Sequence, residues 1–163
     1  VEVMAEVTKF VDVLIANEED CQKCLGIEVD VDVTSGSLDV DKYRNLASRV
    51  METYTGIKYL AVSLRESISA DHNNWSGVLA TRDGFHQSRK FNITHIVDRI
   101  GGGDAFGAGL IWGLNHLENE QVALDFAVAA SAIKQTIYGD FNRITLNEVL
   151  NLMKGDASGR VQR

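Results

Sequence analysis

Three consecutive glycines, Gly101-Gly102-Gly103, separate a β-branched run from an amphipathic one, and no other stretch restricts the folding of this chain so sharply. A glycine triplet inside a strand or helix forfeits side-chain packing and adds backbone entropy to be lost, so the chain must turn there. Before it, Asn92-Ile93-Thr94-His95-Ile96-Val97 reads as a strand; after it, Phe106, Gly109, Leu110, Gly113, Leu114 and Leu117 recur on one helical face. Bare amides between a strand and the positive end of a helix dipole make an anion site. Asp104 follows at once, and the residues alone leave two readings of it open. It is either an N-cap whose carboxylate accepts helix N–H bonds, or a group that orients an attacking hydroxyl and takes its proton while the amides hold a phosphoryl group. Glycines 107, 109 and 113 each cost the helix roughly 1 kcal/mol relative to alanine, so close approach of a neighbouring helix or a ligand must offset them.

The rest of the chain alternates. Met4 to Phe10 reads as helix, Val11-Asp12-Val13-Leu14-Ile15 as a buried strand ending at Asn17, with a helix after it. Tyr43, Leu46, Ala47, Val50, Met51 and Tyr54 form one apolar stripe on a helix that stops near Gly56, and Tyr59 to Leu64 is again strand-like. Residues 65–74 are polar and read as a loop. Trp75 to Thr81 and Phe85 to Arg89 flank Arg82-Asp83-Gly84, which suits an antiparallel hairpin. Helices over Glu120–Tyr138 and Thr145–Lys154 close the series. Such alternation predicts an α/β fold of three layers, a mostly parallel sheet covered on both faces with an antiparallel edge hairpin. Residues 1–155 are expected to be one domain, 30–39 a mobile loop and 156–163 a frayed tail.

Composition narrows the function. Hydrophobic residues make up 45% and charged residues 24% of the 163, an ordinary globular balance, and the net charge of −7 disfavours an electrostatic grip on nucleic acid. Apolar runs fall far short of the ~20 residues that span a bilayer, and Val1-Glu2-Val3 lacks a basic signal-peptide start, so the expectation is a soluble, cytoplasmic protein with no membrane partner. Cys21 and Cys24 lie one turn apart without a second such pair, and read as packed helix cysteines rather than zinc ligands. The histidines at 72, 86, 95 and 116 have no metal-like spacing. No GxxxxGK[ST] loop and no GxSxG elbow occur, and Phe106 stands where a GxGxxG fingerprint needs its last glycine.

The segment Val97-Asp98-Arg99-Ile100-Gly101-Gly102-Gly103-Asp104-Ala105-Phe106-Gly107-Ala108-Gly109 resembles the C-terminal signature of the ribokinase-like (PfkB) carbohydrate kinases. In that family a first Asp precedes two residues, a Gly-small-Gly-Asp anion hole and base, then Phe and a later Gly. By that resemblance Gly101, Gly102 and Gly103 form the anion hole and Asp104 is the catalytic base. Arg99-Ile100 replaces the commoner Thr-Thr or Thr-Ala, and Gly139-Asp140-Phe141-Asn142 follows the penultimate helix; together these are similar to 2-keto-3-deoxygluconate kinases. The likeness also implies nucleotide contacts at Ser63, Leu64 and Arg65, where Arg65 and Ile68 replace frequent glycines. A surface arginine beside Glu66 is the plainer account of Arg65. Ala129 lies in a segment resembling the adenine border, with Val128 in place of a polar Asn found in some relatives. Asn17-Glu18-Glu19-Asp20 resembles an Asn-x-x-Glu element that acts on Mg²⁺ largely through water. Asn17 is equally a good N-cap with Asp20 at its N3 position, and the two roles can coexist.

The resemblance runs from about Val11 to Thr145 and fits only the C-terminal half of these kinases. It implies an intact protein that uses ATP and Mg²⁺ to phosphorylate a sugar or sugar acid, with the N-terminal sugar-binding half and β lid absent from these residues. That lid often mediates dimers, so the resemblance allows a homodimer of the full-length protein. The piece by itself is expected to turn over little. Alternatives are another PfkB kinase of the fructose, ribose or adenosine type, a non-catalytic nucleotide-binding module, and a structural α/β domain whose glycines serve helix packing.

Overall fold

The computed structural model describes residues 1–27 and 40–155. The expected loop at 30–39 and tail at 156–163 lie outside the described residues. Along the chain run α1 (Glu2–Thr8), β1 (Val13–Ile15), α2 (Glu18–Lys23), α3 (Val40–Thr53), β2 (Tyr59–Ser67), β3 (Asn73–Thr81), β4 (Phe85–Gln87), β5 (Phe91–Ile93), α4 (Gly102–His116), α5 (Glu120–Lys134) and α6 (Leu146–Lys154). Among the described residues no helix is long and apolar enough to cross a membrane. These elements fall into two compact units, Val1–Leu64 with Val78–His86, and Arg65–Gly77 with Gln87 onward.

In the first unit β1 pairs with β2 in parallel, Val13 opposite Tyr59 and Ile15 opposite Ala61. The strand order continues through β3 to β4. Thr81 closes the turn between the last two, its N–H donating to the Gly84 carbonyl at 2.8 Å and its hydroxyl accepting the Gly84 N–H at 2.9 Å. The α3 stripe of Tyr43, Leu46, Ala47, Val50 and Met51 is buried as its period demands, and joins Ile57, Leu60 and Val62 in one core. Cys21 is fully buried in that core and Cys24 half-buried at the end of α2, with no disulfide between them.

In the second unit β5 lies antiparallel to the start of β3, Asn73 opposite Ile93 and Trp75 opposite Phe91. The polar stretch expected to be loop is largely ladder. Strand β2 runs on to Ser67, β3 begins at Asn73, and the Ile68 and Ser69 amides donate to the His72 carbonyl at 2.9 and 3.0 Å to close a hairpin. Polarity misleads there because one face of the ladder is a hydrogen-bonded polar strip, in which Asn74 and Lys90 both donate to Glu66, at 2.8 and 2.7 Å. Partial burial pushes the Glu66 carboxyl up, but those two hydrogen bonds and the Lys90 charge hold it below the ordinary range. With short connections on both sides of β3, the sheet is mixed rather than mostly parallel, since hairpins must run antiparallel. The strand expected over 92–97 stops at Ile93, and the helix expected to reach Tyr138 stops at Lys134.

Helices α4 and α5 approach closely because their facing residues are small. A Cβ on Gly109 would meet the Ala127 backbone at 3.0 Å, and one on Gly113 the Ala123 backbone at 2.9 Å. The required offset for these two glycines is therefore helix packing. Gly77 does the same for β3, where a Cβ would stand 3.0 Å from a Val128 methyl. Phe106, Leu110, Leu124 and Val128 fill the resulting core without exposure.

Candidate functional site

The glycine cluster lies in the second unit, where the backbone leaves its irregular approach and enters α4. Gly101 is the N-cap residue, with φ of 76°, a left-handed conformation that glycine alone adopts without strain. Sterics reinforce the requirement, since a Cβ there would sit 2.5 Å from the Asp140 carbonyl oxygen. Gly102 is buried, its N–H donates to the Arg99 carbonyl at 3.2 Å, and its carbonyl accepts the Ser131 hydroxyl at 2.7 Å. Gly103 and Asp104 are exposed, and a Cβ on Gly103 would have nothing within 4 Å.

The arrangement leaves specific donors open. An α-helix has unpaired amides in its first turn, and a cap side chain ordinarily takes one of them. Gly101 has no side chain to do so. The first helical bond back to the turn is Ala105 N–H to the Gly101 carbonyl at 2.9 Å, and among the described residues none accepts the amides of Gly103 or Asp104. Both residues are exposed at the helix start. Of the three glycines expected to form the cradle, Gly102 gives its amide to the turn itself.

Asp98 holds the turn in place. Its carboxylate accepts the Ile100 amide at 3.0 Å and the Gly139 amide at 2.9 Å. These two bonds, and more weakly the Lys134 charge, keep its carboxyl below the usual carboxylate range. The Val97 and Asp98 amides donate to the Gln135 carbonyl at 2.8 and 3.2 Å, so both sides of the approach are anchored to the end of α5. Arg99 reaches the other way, donating to the Ala70 carbonyl at 2.7 Å in the β2 to β3 turn. None of the partners Ser131, Gln135, Gly139 and Asp140 was marked as part of a site by spacing, for each lies some thirty or more residues away in sequence. The one available signal was the Gly139-Asp140 pair, read above only as a subfamily feature.

The other expected site residues divide. Arg65 opens the second unit, exposed and with no pairing partner among the described residues, while the neighbouring Glu66 is engaged by Lys90 and Asn74. Ala129 is 0% exposed on α5, and Leu64 is 1% exposed in the first unit, so neither side chain has surface to offer a ligand. Both side chains are packed within the fold. Ser63 is half-buried beside Leu64. Asn17 and Asp20, also in the first unit, form a capping box: the Asn17 side chain accepts the Asp20 amide at 2.8 Å, and the Asp20 carboxylate accepts the Asn17 amide at 3.0 Å. Among the described residues no group of three or more His, Cys, Asp or Glu side chains converges on a metal position. A magnesium ion carried on a nucleotide retains several waters and needs no such cage, and the capping bond uses one Asp20 carboxylate oxygen, Oδ2.

No family model matches the chain. Among solved structures, it is similar to 2-dehydro-3-deoxygluconokinase from Thermotoga maritima, with 41% identity and a TM-score of 0.85 over 94% of this chain and 45% of that one. A PfkB family carbohydrate kinase from Listeria grayi gives 26% identity and a TM-score of 0.77, over 94% and 44% of the two chains. A 2-dehydro-3-deoxygalactonokinase from Haloferax volcanii is 34% identical over 83 residues, 51% of this chain and 26% of its own length. The fold is therefore ribokinase-like α/β, and its structural neighbours are PfkB carbohydrate kinases. The chain spans less than half the length of these relatives.

Proposed function

We propose that these residues are the ATP-binding, catalytic portion of a PfkB-type sugar kinase that phosphorylates 2-keto-3-deoxygluconate. The observation that carries the reading is the start of α4, where two unclaimed amides and an exposed carboxylate occupy consecutive residues. Amides there stabilise negative charge on a phosphoryl group through the helix dipole and direct hydrogen bonds. Asp104 is close enough in sequence to accept a proton from a hydroxyl aimed at that phosphoryl. Phosphoryl transfer depends on positioning and charge stabilisation more than on a strong base, so a solvent-facing carboxylate is adequate.

In the proposed step the acceptor oxygen forms a bond to the terminal phosphorus of ATP, the bond from that phosphorus to the bridging oxygen breaks, and ADP leaves. The hydroxyl proton passes to the Asp104 carboxylate. Mg²⁺ bound to the triphosphate supplies further charge neutralisation. Asn17 and Asp20 would reach it through water, and Ser63 and Arg65 would contribute to nucleotide binding, all four by family resemblance. The choice of sugar acid draws on the named relatives and on Arg99-Ile100 with Gly139-Asp140-Phe141-Asn142. A cytoplasmic, ATP-supplied location suits this chemistry.

The test is an assay of the intact protein with ATP and Mg²⁺ against 2-keto-3-deoxygluconate, fructose, ribose and adenosine. ADP release that depends on 2-keto-3-deoxygluconate is expected. Preference for one of the others would move the substrate within the family, and binding of ATP without transfer to any of them would reduce the site to a nucleotide-binding module.

A further inference from the structure

Lys134, at the end of α5, is among the largest side chains that are wholly buried, at 0% exposure. Withdrawing an ammonium from water is expensive unless negative groups surround it. Its Nζ donates to the Ile137 carbonyl at 3.3 Å, at the C-terminal end of α5 where the helix dipole is negative. Ile137 lies two residues before Gly139, whose amide donates to Asp98 at 2.9 Å. Asp98 in turn holds the amides of Ile100 and Gly139, which immediately precede Gly101 and the Asp140 carbonyl that backs it. A buried ammonium thus holds the segment that backs the turn.

We propose that Lys134 is a positioning residue for the phosphate turn, a built-in cation that holds the Ile137 carbonyl, and with it the segment carrying the Gly139 amide and the Asp140 carbonyl, against the turn that presents the Gly103 and Asp104 amides. A lysine serving only to fill the core would behave differently. Replacing a buried ion together with its partners by apolar side chains is often neutral or stabilising, whereas removing the ammonium alone leaves the Ile137 carbonyl without its donor and loosens the turn even where the fold survives. The inference uses the kinase reading only for its turnover measurement.

The experiment compares the intact protein with its Lys134→Met and Lys134→Ala variants. Lys134→Met is expected to stay folded, to exchange the Ile100 and Gly139 amide hydrogens faster, and to lose ~10- to 100-fold in kcat with little change in KM, the scale of a modest misplacement. In Lys134→Ala, ammonium or methylammonium should restore part of the loss, and tetramethylammonium at equal ionic strength should not. Parent-like turnover, parent-like amide exchange, or equal rescue by all three cations overturns the inference. An inactive parent defeats the kinase reading alone, and amide exchange then decides the role of Lys134. Were neither variant to fold, nitrogen-labelled lysine in the parent decides: an ammonium signal protected from solvent that shifts on adding ADP supports the inference, and a spectrum with no protected ammonium overturns it.

Discussion

Helices α2 and α4 both begin at a short turn rich in acidic or small residues, yet their ends are finished in opposite ways. At α2 the Asn17 and Asp20 side chains and amides satisfy one another. At α5 and α6, Asn119 and Thr145 likewise cap their helices. At α4 the N-cap is a glycine in a left-handed conformation, and two first-turn amides have no acceptor among the described residues. A cap typically stabilises a helix by ~1 kcal/mol, so a chain that caps α2, α5 and α6 with side chains forgoes that stabilisation at α4. The difference separates an end closed by its own side chains from one left open to solvent.

The sharpest way to break this contrast is at Asp104. On the proposed function, Asp104→Asn in the intact protein should lower kcat by ~10²–10⁴, the usual contribution of a general base, with little change in ATP affinity. Undiminished turnover in that variant would leave the residue as a mere helix-start acid. Next in size is a pair at the glycines. Gly101→Ala combines a left-handed φ with a 2.5 Å approach to the Asp140 carbonyl oxygen, and should cost on the order of 1–3 kcal/mol or more in denaturant unfolding. Gly103→Ala, whose Cβ meets nothing within 4 Å, should be neutral or stabilising by up to ~1 kcal/mol while weakening triphosphate binding measured by calorimetry. If both variants unfold alike, the division of labour within the triplet is wrong.

Asn17→Ala sharpens the other side of the comparison. Loss of the α2 cap should destabilise by ~1 kcal/mol in the same unfolding measurement. If capping is its whole role, the magnesium dependence of turnover stays unchanged; a raised magnesium requirement assigns Asn17 a share in the site. The smallest effect is expected from pH. Because the folded structure holds the Asp98 carboxyl below its ordinary value, its contribution to stability is complete above the unfolded value near ~4 and is lost as pH falls below that toward the folded value. The stability gap between the parent and Asp98→Asn should therefore be widest near neutrality and close in acid. A gap that does not change with pH contradicts the assigned hydrogen bonds.

Local chemistry fixed a good deal in advance. The α3 stripe, the Asp83-Gly84 hairpin turn, the capping box at Asn17 and the start of α4 after Gly101 are short-range features, determined by side-chain period, turn geometry and caps. Segments such as 65–74 were misread because polar residues on one face of a ladder look like loop until their cross-strand partners are known.

The sequence by itself determined that residues 101–104 form a turn into a helix with exposed amides, since only glycine tolerates that backbone and no side chain is there to cover it. Tertiary structure decided which amides remain open, by engaging Gly102 with Arg99 and Ser131. It also decided what stands behind the turn, by bringing Asp98, Gly139, Asp140 and the buried Lys134 to one place. Those choices rest on contacts between residues far apart in the chain, and on burial that makes an isolated charge depend on its neighbours, neither of which a local pattern can encode.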